Sequence, residues 1–326
     1  MIKILIIGGA GYIGGYMTDV FSAIDDYEVT VYDNLLYEPY YLKNVHFIRG
    51  DIRDKDKLGR IINEYDIVVI LAAIVGDFAC AVNVYATEEI NVHAVRWLVD
   101  KYKKGTIIFM STCSIYGINN CLIDETATPY PLSIYAATKL NAEKYIIENS
   151  KDHIIFRLGT LYGLSDMHSR PRLDLVVNIM TKRAVYGETL TVFGGEQWRP
   201  VLHVRDVCHA VEHCLNNNVR GLFNLSERNV IISELADIIK GLLPTVTITY
   251  QKQKFEDLRD YKVKTEKISA THWKPKFTLE EGIQEMINIF FDGRIRDATD
   301  SVFYNHEHLK KINFEGAMDG WKHIQG

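Results

Sequence analysis

The 326-residue chain is longer than a single ordinary core fills, so one large domain with a smaller one attached, or two interleaved lobes, is expected. Hydrophobic residues at 47% beside charged residues at 24% exclude a disordered or collagen-like chain. The net charge of −5, with lysine and arginine scattered, leaves no basic footprint for a nucleic-acid backbone or an anionic membrane.

The opening run MIKILIIGGAGYIGG breaks at Gly8, with no cleavage-like site after it, and reads as a buried strand rather than a secretory signal. No apolar stretch approaches the roughly 18 to 20 residues of a membrane helix. The five cysteines, Cys80, Cys113, Cys121, Cys208 and Cys214, are odd in number and form no CxxC pair, against both a disulfide framework and a structural zinc site. A cytoplasmic protein without a metal is expected.

Strands are predicted at 3–7, 29–32, 45–49, 67–72, 106–111 and 154–158, with helices at 12–23, 55–64, 88–103 and 135–149 between them. Such alternation builds right-handed βαβ units, hence a doubly wound parallel sheet of the Rossmann type. After Gly163 come a polar loop at 164–174, a helix at 175–186, a strand at 190–193, a helix at 204–215 and a seventh strand at 221–225 that returns to the sheet. Residues 1–163, with 200–226 returning to them, therefore form the expected cofactor domain. Residues 164–199 and 227–326 form a smaller α/β lobe, interleaved with it, which ends in a charged tail after Gly293.

Gly8, Gly11 and Gly14 in GGAGYIG sit where the first strand turns into the first helix, so that a pyrophosphate can rest on the helix N-terminus and on the backbone of Tyr12 and Ile13. Asp33, at the end of the second strand, can accept both hydroxyls of an adenosine ribose and repels a 2'-phosphate, which points to NAD rather than NADP. Asp51 and Ile52 end the third strand where adenine would lie; a strand-end cap explains Asp51 almost as well.

Tyr135 and Lys139 stand four residues apart and share one helix face. A tyrosine used as a base at neutral pH needs its pKa lowered by roughly two to four units, which the ammonium and an oxidised nicotinamide ring both favour. Ser111, Thr112 and Ser114 offer hydroxyls where the fifth strand leaves the sheet at its carboxyl edge, the ligand edge of such folds. His209 and His213 with Glu212 read as a helix surface rather than a zinc site. His306 and His308 read as solvated, and Arg170 and Arg172 as either an anion contact or a solvated loop. Tyr37, Tyr40 and Tyr41 suit either adenine or loop packing.

GGAGYIGG, Asp33 and Asn34, GDI at 50–52, LAA at 71–73, Asn91, STCSIYG and YAATK follow one another as in an extended short-chain dehydrogenase/reductase, and the sequence resembles the nucleotide-sugar epimerase/dehydratase family over roughly residues 1–290. The likeness continues through WRPVLHVRDV at 198–207 and DLRDYKV at 257–263. It implies Thr112, Tyr135 and Lys139 as the catalytic set. It implies Asn34, Leu71, Ala72, Ala73, Asn91 and Ser111 beside the cofactor. Thr112, Ser114, Asn178, Val192, Phe193, Arg199 and Arg259 would then hold a nucleoside diphosphate sugar, and a homodimer would form through a four-helix bundle.

Two departures from the family narrow the reaction. The Asp-Glu pair that 4,6-dehydratases carry after the catalytic threonine is replaced by Cys113 and Ser114, which disfavours dehydration. No histidine stands before LAA, where the family usually carries one. The expected activity is NAD-dependent oxidation of a sugar hydroxyl at carbon 4, as a 4-epimerase or 4-dehydrogenase. The LAAIVGDFAC and STCSIYG stretches also resemble surface-polysaccharide members, GDP-heptose 4-dehydrogenases among them. The alternative is a catalytically silent NAD-binding sensor or scaffold.

Overall fold

The structure, a computed structural model, describes residues 1–38, 40–251 and 259–314; Asp257 and Leu258 of the DLRDYKV stretch lie outside the described residues. Its centre is a seven-stranded sheet made of β1 (Ile2–Ile7), β2 (Tyr27–Asp33), β3 (His46–Arg49), β4 (Ile67–Ile70), β5 (Thr106–Thr112), β7 (His153–Leu158) and β11 (Gly221–Leu225). The spatial order is β11-β7-β5-β4-β1-β2-β3, and every neighbouring pair is parallel. The chain therefore runs outward from β1 in one direction, then returns past it in the other, which leaves a crevice at the carboxyl ends of β1 and β4.

Buried strands with both faces covered need apolar residues on both, and β1 supplies them in alternation. Leu5 and Ile7 pack with Leu58, Val95, Leu98 and Ile146 from helices α2 (Lys55–Ile61), α5 (Ala94–Lys101) and α6 (Ile134–Asn149). Ile4 and Ile6 pack on the other face with Met17, Phe21, Val207 and Val211 from α1 (Gly14–Ser22) and α8 (Val204–Asn216). The β4 ladder stops at Ile70 because the next two amides, Leu71 and Ala72, both donate to the carbonyl of Ile7, at 2.8 and 2.9 Å. This bend opens the loop that leads to α3 (Asp77–Val82).

The helix predicted at 88–103 begins earlier, as α4 (Val84–Glu88), and widens into one broad turn over Glu89–His93 before α5. Among the shorter strands, β6 (Ile118–Ile123), β8 (Thr160–Tyr162), β12 (Arg228–Ile231) and β14 (Asp260–Val263) escape local pattern reading. They pair β6 with β14, and β8 and β12 with the two sides of β10 (Trp198–His203). A third core, with Val177, Val192, Leu235, Ile239, Ile283 and Ile287, joins α7 (Val176–Val185), β9 (Leu190–Phe193), α9 (Ile232–Leu242) and α11 (Leu279–Phe291), and β13 (Ile248–Gln251) pairs with β9. The short α10 (Glu266–Ser269) packs on β11, where Lys267 Nζ donates to Leu222 O.

Residues 294–314 are not a solvated tail. They turn back as α12 (Asn305–Lys311) and pack on α3. His308 Nε2 lies 2.9 Å from the Leu36 carbonyl and His306 Nδ1 3.0 Å from that of Phe78, while Asn305 Nδ2 donates to Val75 O at 3.0 Å. The sequence gives no periodic signal for this return, because its specificity lies in hydrogen bonds between side chains and distant carbonyls.

Candidate active site

A cavity of about 770 Å³ runs along the carboxyl edge of the sheet into the second lobe. At one end lies the glycine turn. Gly8 has φ of +86°, and a Cβ there would come within 2.4 Å of Ala72 N; a Cβ on Gly14 would come within 2.5 Å of Gly9 Cα. Backbone packing demands glycine at both. At Gly11 a Cβ would meet only Gly8 O, at 3.5 Å, so a side chain there would fill open cavity. That space, over the start of α1, suits a pyrophosphate.

Asp33 stands beside this turn with its carboxylate across the strand end: Oδ2 accepts Ala10 N at 3.0 Å and Oδ1 accepts Leu35 N at 2.7 Å. Burial raises its pKa, and the hydrogen bonds from Leu35 and Ala10 oppose that. Each oxygen keeps acceptor capacity toward the cavity, as a ribose diol needs. Asn34 is spent locally, donating to Asp51 Oδ2 and accepting from Leu36 N. Asp51 is gripped by Arg53 through Nε and Nη2, each at 2.8 Å. Burial alone would raise Asp51, but Arg53 outweighs it and holds the carboxyl below its ordinary range. Tyr12, Ile13, Ile52, Leu71, Ala72 and Ala73 complete the lining here.

Three residues expected at the ligands do not line the cavity: Gly14, which packs against the Gly9 backbone, and the two asparagines Asn91 and Asn178. Asn91 lies in the broad turn, 1% exposed, with its amide clamped on both the N–H and the carbonyl of Ile74 and donating to Thr138. It fixes the β4 loop instead. Asn178, fully buried, accepts from Gly163 N and donates to Arg172 O and the Tyr12 hydroxyl. Both amides are consumed inside the protein.

Tyr135 and Lys139 enter from α6, whose first turn is capped by Ser133 accepting from Ala136 N. Burial pushes the Tyr135 phenol well above its ordinary value, and a hydrogen bond with the Thr112 side chain partly offsets this. Burial pulls the Lys139 ammonium down to about 7; the charged end sits 4.0 Å over the Phe109 ring. Without a ligand, both groups are thus pushed toward their neutral forms. Thr112 ends β5 and also accepts from Ser114 N, which holds its hydroxyl at the strand end. Ser111 is committed, donating at 2.6 Å to Glu143, itself buried in an ion pair with Arg157. Cys113 is fully buried, gives its S–H to Arg157 O, and has its pKa raised by burial, so it offers no thiolate to the cavity.

The far end is lined by Val192 and Phe193 of β9, Gln197, Arg199, Arg259 and Tyr261. Ser114 Oγ lies 3.3 Å from Tyr261 Oη and 3.5 Å from Arg259 Nη1. Along the side, Arg170 and Arg172 are both buried. Arg172 makes a two-pronged contact with Asp174 at 2.6 and 3.0 Å. Arg170 lies 4.3 Å over the Tyr37 ring and donates to Asn305 and to Val302 O. Tyr40 is exposed, and Tyr41 stacks on Phe47 rather than facing a ligand. His209 is held by Tyr16 and Lys276. Sequence reasoning missed Asp77, Gln197, Tyr261, Asn305 and His306 as lining residues. Asp77, within the GDFAC stretch, and Tyr261, within DLRDYKV, lay in segments already singled out, and His306 reads as solvated in the sequence.

A doubly wound sheet with a glycine turn, a strand-end aspartate and a Tyr/Lys pair on one cavity defines a dinucleotide-dependent α/β enzyme. Residues 4–226 match the NAD dependent epimerase/dehydratase family, and the chain belongs to that family. A protein of Methanocaldococcus jannaschii named "Putative UDP-glucose 4-epimerase" is 30% identical over 303 residues, which cover 87% of this chain and 97% of that protein. The UDP-glucose 4-epimerase of Thermotoga maritima, solved with UDP-glucose, superposes with a TM-score of 0.76 at 26% identity, covering 90% of this chain and all of that one. That of Thermus thermophilus, solved with NAD, gives 0.76 at 25% identity over 89% and 99% of the two chains. No helix among the described residues is long and apolar enough to cross a membrane.

Proposed function

We propose that the enzyme oxidises the carbon-4 hydroxyl of a nucleoside diphosphate sugar, acting as a 4-epimerase or as a 4-dehydrogenase in surface-polysaccharide synthesis. The observation that carries this is the convergence of Thr112, Tyr135 and Lys139 on the same cavity as Gly11 and Asp33 at one end and Arg199 and Arg259 at the other. Gly8, Gly11, Gly14, the backbone of Tyr12 and Ile13, and Asp33 would hold NAD, which supplies the hydride acceptor when bound. Thr112 orients the sugar hydroxyl, Tyr135 takes its proton, and Lys139 together with the cofactor's positive ring favours the phenolate. Arg199 and Arg259 neutralise the diphosphate, and β9 flanks the base.

Elimination of water needs an acid and a base next to the reacting carbon. Cys113 faces Arg157 O, and Ser114 lies against Tyr261, so the places of a dehydratase pair hold neither. Residues 164–199 and 227–314 would form the sugar-nucleotide lobe, and two chains would pair through α5 and α6. The test is incubation of the purified protein with a panel of UDP-, GDP- and dTDP-sugars, GDP-heptose included, with products resolved by mass spectrometry and NMR. Turnover to a 4-keto or 4-epimeric sugar supports the proposal; a 4-keto-6-deoxy product, or no turnover of any sugar, overturns it.

A further inference from the structure

Asp77 opens α3 directly after Gly76, whose φ of +104° turns the chain sharply into the cavity wall. Its two carboxylate oxygens have different fates. Oδ2 lies 3.3 Å from Arg259 Nη1. Oδ1 is buried and has no hydrogen-bond partner, one of six such side-chain atoms among the described residues. A carboxylate oxygen withdrawn from water and left without a donor is a costly arrangement unless a ligand completes it.

The missing donor can be located from the neighbours. Arg259 reaches both Asp77 and Ser114, and the charge of Asp77 is felt at Tyr135. A molecule held by Arg259 through its diphosphate, with its reacting carbon at Tyr135 and Thr112, must pass Asp77 with the sugar ring that joins those two ends. We propose that Asp77 is the sugar-selecting residue: its Oδ1 accepts a hydrogen bond from the primary hydroxyl carried by the carbon next to the oxidised one, so the site takes neutral sugars and turns away uronic acids, in which that hydroxymethyl group is a carboxylate. This rests on the nucleotide-sugar reading above. The carboxylate of a uronic acid, standing in place of that primary hydroxyl, would face Oδ1 without a proton between them, and the two like charges repel.

The test uses the purified protein with its bound cofactor, UDP-glucose and UDP-glucuronic acid alongside the same panel, and the sugar-free diphosphates UDP and GDP. Asp77→Ala removes the acceptor and should weaken the preferred neutral nucleotide sugar by about tenfold or more, while the matching free diphosphate stays within about twofold. Asp77→Asn keeps the shape and removes the charge, and should raise the affinity for UDP-glucuronic acid relative to UDP-glucose by about tenfold. Retained NAD in both variants confirms the fold. Equal losses for the diphosphate and its sugar would show that Asp77 only positions Arg259, and unchanged selectivity would show that it touches no sugar; either result overturns the proposal. If wild type binds the diphosphates but no nucleotide sugar more tightly, the underlying reading fails first, separately from any effect of the variants.

Discussion

Lys139 is held where its own charge is unwelcome, so its removal should strengthen the cofactor-free protein. Burial lowers its pKa from the ordinary 10.5 to about 7, and its side chain is only 5% exposed. The unfolded chain therefore binds more protons than the native one between pH 7 and 10.5, and this group's contribution to stability rises with pH across that window. At about 1.4 kcal/mol per unit, the penalty is roughly 4 kcal/mol at pH 7, about 2 at pH 9, and vanishes above 10.5. Lys139→Met fills nearly the same volume without the charge. The variant, stripped of cofactor, should be about 4 kcal/mol more stable than wild type at pH 7, a rise in Tm on the order of 5–10 °C, with the difference halved at pH 9. Urea or thermal unfolding of both proteins at the two pH values reads this. The difference between the proteins is the quantity to follow, because Cys80, Cys113, Cys208 and Cys214, all raised by burial, lower the stability of both in alkali. Equal stability at pH 7, or a difference that ignores pH, would refute the reasoning. Turnover by the variant should nevertheless collapse, since the phenolate loses its partner.

Tyr135→Phe keeps the ring and removes one oxygen, so NAD retention should survive while sugar oxidation falls by roughly 100-fold or more, read by steady-state kinetics. Thr112→Val removes a positioning hydroxyl at nearly constant volume and should cost less than Tyr135→Phe in the same assay; a silent scaffold would show no effect from either. Asp33→Ala should weaken NAD far more than NADP in titration calorimetry, and an unchanged preference would sink its assignment to the ribose. Cys113→Ala should leave turnover within a few-fold of wild type, because the thiol already faces Arg157 O; a large loss would reinstate it as a reacting group. Light scattering at micromolar concentration should give a dimer mass, covering the exposed Val84, Tyr85 and Ile147 of the helices that flank α5.

The central sheet was legible because its strands are apolar on both faces and its helices are periodic, so β1, β2, β5, β7 and β11 fall where the pattern puts them within a few residues. The convergence of Thr112, Tyr135 and Lys139 on one cavity was legible because Tyr135 and Lys139 stand four residues apart on one helix face and Thr112 ends β5 at the carboxyl edge of the sheet. What pattern reading missed has a common cause. β6 and β14 lie some 140 residues apart and define each other by pairing rather than by local propensity. β10 carries Pro200, which argues against a strand; it is tolerated because it pairs only with Asn229, the ladder to β8 beginning one residue later at Val201. Asn91 and Asn178 occupy motif positions, yet their amides are consumed by backbone groups that only the folded chain brings near.

The place of β11 at the edge of the sheet limits how the molecule can be divided. The chain leaves the cofactor half after β8, builds α7 and β9 of the second lobe and then α8, and only then returns residues 221–225 to cover β7. In β7, Ile154, Ile155 and Phe156 are fully buried. A fragment ending near residue 163 would retain the glycine turn and the Tyr/Lys pair but would expose an apolar strand with a row of unpaired amides and carbonyls. Such an edge recruits strands from other copies. The excised cofactor half would therefore be an aggregating peptide, and a soluble minimal unit must carry the chain through at least Leu225.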